Sequence, residues 1–197
     1  MIDTLEQLEA LYDAPKQGSL DKVMDHLSGA YAAWIEASRF VVISTVGPEG
    51  TDASPRGDVG PVALQLDDKH LGIPDWRGNN RLDTLRNIIR EPRIALMFMV
   101  TGSRSTMRVN GRAHLSDDPD LIARFEVKGR HPVCVIVVKI DEVYSQCPKA
   151  FIRSDFWTAE TPEVPSPGDM LADASSGKHG GAEYDARYDD YAKETMW

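Results

Sequence analysis

From residue 39 to residue 147 one short pattern keeps returning: a β-branched or alternating apolar run, a tight turn, and another run. "RFVVISTV" (39–46) is closed by "GPEG". "VALQL" (62–66) reads as a strand, "DDK" as a hairpin turn and "HLGIP" (70–74) as its partner. "RIALMFMV" (93–100) is followed by "GSRS" and then by "TMRVNGRAHL" (106–115). In that last segment Met107, Val109, Gly111, Ala113 and Leu115 fall on one face and Arg108, Asn110, Arg112 and His114 on the other. "PVCVIVVKIDEVYSQC" (132–147) is a long apolar strand. Runs this short, mostly joined by tight turns, favour antiparallel neighbours over the crossover units of a parallel sheet. The expected fold is mainly β with peripheral helices, about six antiparallel strands curled into a small barrel.

Helical spacing appears at the edges and in two insertions. Leu5, Leu8, Leu11 and Tyr12 share a helix face over 4–12, where Thr4 and Gln7 have capping-box spacing. A second helix is expected over 20–38, with Ser19 as its cap. Helices over 81–91 and 119–127 interrupt the strands, and "TDASPRGDVGP" between them and the first strand reads as a loop or an irregular strand. "PKAFIRSDFW" reads as a helical turn. After Trp157 proline, glycine, serine and acids dominate, which predicts an extended, partly mobile segment before a last helix with Tyr184, Tyr188 and Tyr191 near one face. The chain divides accordingly into a helical segment (1–38), a barrel domain (39–157) and a C-terminal extension (158–197).

Charge narrows the function. The net charge of −9 argues against nucleic acid and anionic membranes as partners. The distribution is uneven: between Asp75 and Arg112 there are eight arginines and three acids, a net +5, so the remainder carries −14. A local arginine cluster in an acidic protein suits a small anionic ligand better than a polymer. The acidic N-terminus does not resemble a signal peptide, and no apolar run reaches membrane-spanning length, so a soluble cytoplasmic protein is expected. Cys134 and Cys147 form no metal or redox motif, and the five histidines lack ligand spacing, so no metal is expected. No nucleophile elbow and no phosphate-binding Walker loop is present, so catalytic side chains stay unassigned and demanding chemistry would need an organic cofactor.

The arginines concentrate where a helix begins. "IPDWRGNNRLDTLRNI" (73–88) leads from a strand through a loop into helix 81–91, whose apolar stripe would be Leu82, Leu85, Ile88 and Ile89. Asn79 or Asn80 could cap it. Arg77 and Arg81 put positive charge at the positive end of the helix dipole, which is unfavourable unless an anion is held there. A phosphate would use both the arginines and the free N–H groups.

Taken together, "SPRGD" (54–58), "IPDWRGNNRLDTLRNI" (73–88), "EPRIALMF" (91–98), "RVNGRA" (108–113) and "CPKAFIRSDFW" (147–157) resemble the pyridoxamine 5'-phosphate oxidase-like FMN-binding split-barrel superfamily. The resemblance covers about residues 38–157. It implies a six-stranded antiparallel split barrel that forms a homodimer, with FMN in grooves between the subunits, and an FMN-dependent oxidoreductase acting on a small substrate. By position, it implies that Arg56 faces the flavin and that Ile73, Pro74 and Asp75 run along its ring. Arg77, Asn80 and Arg81 would hold the phosphate. Arg108 and Asn110 would border the flavin from the partner subunit, and Lys149, Arg153 and Ser154 would approach it from the C-terminal side. A carrier or sensor binding FMN or haem without turnover is the alternative. True pyridoxamine phosphate oxidases end in an Arg-x-His element that holds the pyridoxal substrate. Here His179 lies in "GKHGG", outside that pattern, so the resemblance does not extend to vitamin B6 oxidation. The C-terminal residues would either cap the partner's flavin site, with Trp157 or Trp197 as lids, or stay mobile.

Overall fold

The computed structural model describes residues 1–196; Trp197, one of the two candidate lids, lies outside the described residues. Three short helices come first: α1 (Leu5–Glu9), α2 (Gln17–Asp21) and α3 (Gly29–Glu36). Strands β1 (Phe40–Gly47), β2 (Gly50–Gly57), β3 (Leu64–Gln65) and β4 (His70–Asp75) follow. Helix α4 (Asp83–Arg90) leads into β5 (Arg93–Met99) and β6 (Thr106–Ser116). Then come α5 (Pro119–Ala123), β7 (Cys134–Gln146), α6 (Lys149–Ser154), α7 (Pro167–Ala174) and α8 (Ala182–Thr195).

The strands form one antiparallel sheet in the order β2-β1-β5-β6-β7-β4-β3. It has seven strands rather than six, and it is open: among the described residues no backbone ladder joins β2 to β3 or β4. The additional strand is β2, where "GTDASPRG" pairs with β1 along its whole length. Proline is tolerated there because β2 is an edge strand, and only one side of its backbone must donate. Sheet twist brings the two edges together all the same, and Arg56 of β2 reaches Asp75 of β4 at 3.4 Å.

Alternation sorts the side chains. Val41, Ile43, Ile94, Leu96, Phe98, Met107, Val109, Ile136, Val138 and Ile140 turn inward and are buried. Gly111 joins that inward row at a bulge in the β6–β7 ladder, where an added Cβ would lie 2.1 Å from the Lys139 carbonyl oxygen. Helix α5 covers part of the outer face, closing a second cluster of Phe125, Val135 and Val137. Phe40 and Met97 stay exposed on the outer face.

Three expectations are corrected here. The helix expected over 20–38 is broken in two, because Met24 exchanges backbone hydrogen bonds with Val143 and the Leu27 amide donates to Asp68. Ser28, not Ser19, caps the second piece by accepting from the Tyr31 amide. The segment after Trp157 is not all extended: Ser166 and Asp169 form a capping box, Pro167 occupies the first turn, and α7 follows. Helix α4 is rotated relative to its expected stripe. Thr84, Asn87 and Ile88 are buried, whereas Leu82 and Ile89 are exposed. The cause is polar: Asn87 donates to Thr45 Oγ1 at 3.1 Å, and it fits only because Gly47 has no side chain.

Candidate functional site

The free edge of β2 and the chain from β4 to α4 run side by side. Three side-chain links hold them. Arg56 donates to Asp75 Oδ1 at 3.4 Å, Trp76 Nε1 donates to Asp58 Oδ2 at 3.3 Å, and Thr84 Oγ1 donates to Asp52 Oδ2 at 2.5 Å. Arg56 is fixed further by donating to Ser54 Oγ and to the Pro55 carbonyl oxygen. Burial pushes the Asp75 carboxyl above its ordinary range, and the Arg56 guanidinium partly offsets this. A buried acid in tension with a half-buried arginine marks this edge as chemically unusual. Ile73, Pro74 and Asp75 are buried and pair with Ile136, Val135 and Cys134 of β7.

The loop after Trp76 is different in kind. Arg77, Gly78, Asn79, Asn80 and Arg81 are all exposed. Neither asparagine caps the helix: α4 starts after Leu82, and no side chain caps its first turn. Asn79 accepts from the Arg81 amide at 3.1 Å. Asn80 and Leu82 have φ values of 59° and 60°. Asparagine tolerates that region, but for leucine it costs about 1–2 kcal/mol. The strained residue sits where the helix exposes its free N–H groups. Arg77 makes no ion pair among the described residues, and Arg81 holds Asp83 at 2.9 Å across solvent. Such a pair is worth little and is easily exchanged. A groove of about 460 Å³ continues from Arg81 along α4, lined by Glu49, Asp52, Asp83, Arg86, Asn87 and Arg90. Arg90 is taken up by Glu49 at 2.5 Å, which leaves Arg86 without an ion pair among the described residues.

One chain does not gather every candidate. Arg56 pairs with Val41, so it belongs to the inward row. Arg108 pairs with Met97 and Tyr144 on the opposite face, where its guanidinium lies 5.4 Å from the Tyr144 ring centre. Asn110 shares that outer face and donates to Glu142 at 2.6 Å. Lys149, Arg153 and Ser154 are exposed on α6. That helix is held at the turn between β5 and β6, where Trp157 Nε1 donates to the Ser103 carbonyl oxygen at 2.6 Å and the indole stacks on Phe151.

Sequence reasoning missed Asp52, Thr84, Trp76, Asp58 and Arg86. A signal existed for Thr84: with Asn87 and Ile88 it has the i, i+3, i+4 spacing of a buried face, and two polar residues in such a face indicate a buried hydrogen-bond network. Cys134 lies opposite Asp75 in the β4–β7 ladder. Its thiol is pushed up to about 11 by burial and by the Asp75 and Asp117 charges, which leaves it un-ionised at neutral pH. Among the described residues no cluster of His, Cys, Asp or Glu could hold a metal, and no helix is long and apolar enough to cross a membrane.

A family model described as pyridoxamine 5'-phosphate oxidase matches residues 27–147, more than half of the chain. Among solved structures, HupZ of Group A Streptococcus aligns at a TM-score of 0.51 and 14% identity, over 60% of this chain and 93% of that one. An FMN-binding protein from Syntrophomonas wolfei aligns at a TM-score of 0.45 and 16% identity, over 71% of this chain and 91% of that one. The likeness to HupZ is one of fold. No curated protein matches the chain.

Proposed function

The chain belongs to the pyridoxamine 5'-phosphate oxidase family, and on that premise we propose that it is an FMN-binding flavoprotein and an FMN-dependent oxidoreductase acting on a small substrate. The observation that carries the reading is the uncapped start of α4, with a strained Leu82, an Arg77 that makes no ion pair among the described residues and an easily exchanged Arg81 around it. These features fit a phosphate monoester, a dianion that free N–H groups, a favourable dipole end and two guanidinium groups would all attract.

In this reading Arg77, Asn80 and Arg81 hold the phosphate. Ile73, Pro74 and Asp75 offer backbone along the ring, and Arg56 supplies positive charge beside them. When bound, FMN supplies the electron and hydride chemistry that no side chain of this protein can perform. Arg56 is held by Ser54, Pro55 and Asp75 before any ligand arrives, so its charge is preorganised rather than recruited.

The partner reading follows from the two faces of the sheet. Arg108 and Asn110 stand on the face opposite Arg56, so a single chain does not direct all three at one ligand. In a homodimer packed through the outer face, where Phe40 and Met97 are exposed, one subunit's Arg108 and Asn110 reach the other subunit's flavin. Lys149, Arg153 and Ser154 then approach from the C-terminal side. Titration of the purified protein with FMN, read by flavin fluorescence quenching, tests the cofactor. Anaerobic bleaching by NADH or NADPH tests turnover. Saturation with FMN but no reduction by any donor would leave a carrier. No quenching at all would end the flavin reading.

A further inference from the structure

The inward row of β2 is polar: Asp52, Ser54 and Arg56 pair with Thr45, Ile43 and Val41 of β1. Three carboxylates meet side-chain donors where this edge runs beside β4 and α4. Two of them meet neutral donors, Asp52 the Thr84 hydroxyl and Asp58 the Trp76 indole. The third, Asp75, meets a cation, Arg56. Both members of that pair are held in place by other groups. Asp75 lies in register with Cys134 of β7, and its carbonyl oxygen accepts from the Val133 amide at 2.9 Å. Arg56 donates to Ser54 Oγ and to the Pro55 carbonyl oxygen. Their own contact is a single one of 3.4 Å, long for a charge-assisted bond. The Arg56 and Asp75 side chains keep 25% and 12% of their surface open, so water reaches both.

Asp75 is thus a poorly hydrated carboxylate leaning on one weakly engaged, preorganised guanidinium. Burial favours its neutral form and Arg56 favours its charged form. A negative charge that engages Arg56 from elsewhere tips this balance toward the neutral acid. The groups around the pair do not take over that role. Asp58 is held by Trp76, and Cys134 stays a neutral thiol, kept so by burial and by the charges of Asp75 and Asp117. We propose that Asp75 is the proton partner of the flavin site: when negative charge on a reduced cofactor engages the Arg56 guanidinium, the Asp75 carboxylate takes a proton from water, and it returns that proton on reoxidation. The electrons come from the reductant, and the bond made and broken at Asp75 is its own O–H. Each two-electron reduction then consumes one proton beyond those the cofactor itself takes up. Asp75 acts through Arg56 and is a positioning residue. The inference rests on the flavin reading above and adds to it a coupling of electron uptake to a side chain's proton.

The test uses the full-length chain loaded with FMN. Its midpoint potential is measured by dye-mediated titration with dithionite from mildly acid to mildly alkaline pH, beside that of Asp75→Asn. The two are expected to run parallel at low pH, where Asp75 is protonated in both redox states. They then diverge as pH rises through a window above the ordinary carboxylate value of 3.8. In that window the unsubstituted protein falls below the variant by about 30 mV per pH unit, the equivalent of a tenfold change in a two-electron equilibrium. Above the window the gap is constant. A second measurement needs no variant: the reduced-minus-oxidised infrared difference spectrum is expected to gain the carbonyl stretch of a protonated carboxylic acid, and 13C-labelling of aspartate shifts it. A gap that is the same at every pH, which a merely structural role would give, or no aspartic acid band on reduction, would overturn the proposal and leave the flavin reading standing. A chain that binds no FMN would overturn both.

Discussion

Replacing Arg77 by alanine removes one guanidinium from the proposed phosphate seat without touching the fold, because that side chain is exposed and makes no ion pair among the described residues. A charge-assisted hydrogen bond to phosphate contributes about 1.5–3 kcal/mol. The FMN dissociation constant should therefore rise between roughly 10-fold and 150-fold. Arg81→Ala should cost less. Arg81 must first release Asp83, held at 2.9 Å with both side chains exposed, and such a pair is worth about 0.2–1 kcal/mol. Asp83→Asn removes that competition and should tighten FMN by up to about fivefold. Fluorescence quenching gives all three constants, and riboflavin, which lacks the phosphate, is the control. Its affinity should not change in any of the variants. If Arg77→Ala weakens riboflavin as much as FMN, or weakens neither, the loop is not a phosphate seat, and the strain at Leu82 must have another cause.

Gly111→Ala should destabilise the fold by about 3 kcal/mol or more in a denaturant titration, since the new methyl would lie 2.1 Å from a backbone oxygen. Phe98→Ala, at a fully buried position, should cost about 3–5 kcal/mol in the same assay. Asp25 accepts from Lys69 at 2.9 Å and contacts His26, which lowers its carboxyl to about 2. A lowered carboxyl adds stability above its unfolded value of 3.8 and loses it as pH falls towards about 2, so Asp25→Asn should flatten the acid limb of the stability profile in that window. With a thiol reagent at pH 8, exposed Cys147 should react fast and Cys134, raised to about 11, slowly; two equally fast thiols would contradict its burial.

What was readable in the sequence was readable for local reasons. The runs that became β1 and β7 are rich in β-branched residues, β6 alternates and β5 is a short continuous apolar run, all of them signals contained in the run itself. β2 hid because its proline and polar residues are tolerated only at an edge, and being an edge strand is a property of the sheet. The helix expected at 20–38 failed because Met24 found a β partner 119 residues away, a contact that no local window contains. The capping box of α7 lay in plain view at Ser166 and Asp169, masked by the Pro- and Gly-rich composition around it.

The candidate site divides along the same line. Sequence alone determined that arginines gather at a helix start in an acidic chain, because charge and helix signals are local and additive. It also determined which strand residues share a face, because alternation is built into extended backbone. Only the tertiary structure decided that Leu82 rather than an asparagine opens α4, that β2 lies alongside the loop, and that Asp75 is buried against Arg56. Those facts depend on sheet twist bringing two distant edges together. Ladder register, which only the folded sheet fixes, sets Arg56 on the inward face with Val41 and Arg108 on the outward face with Met97.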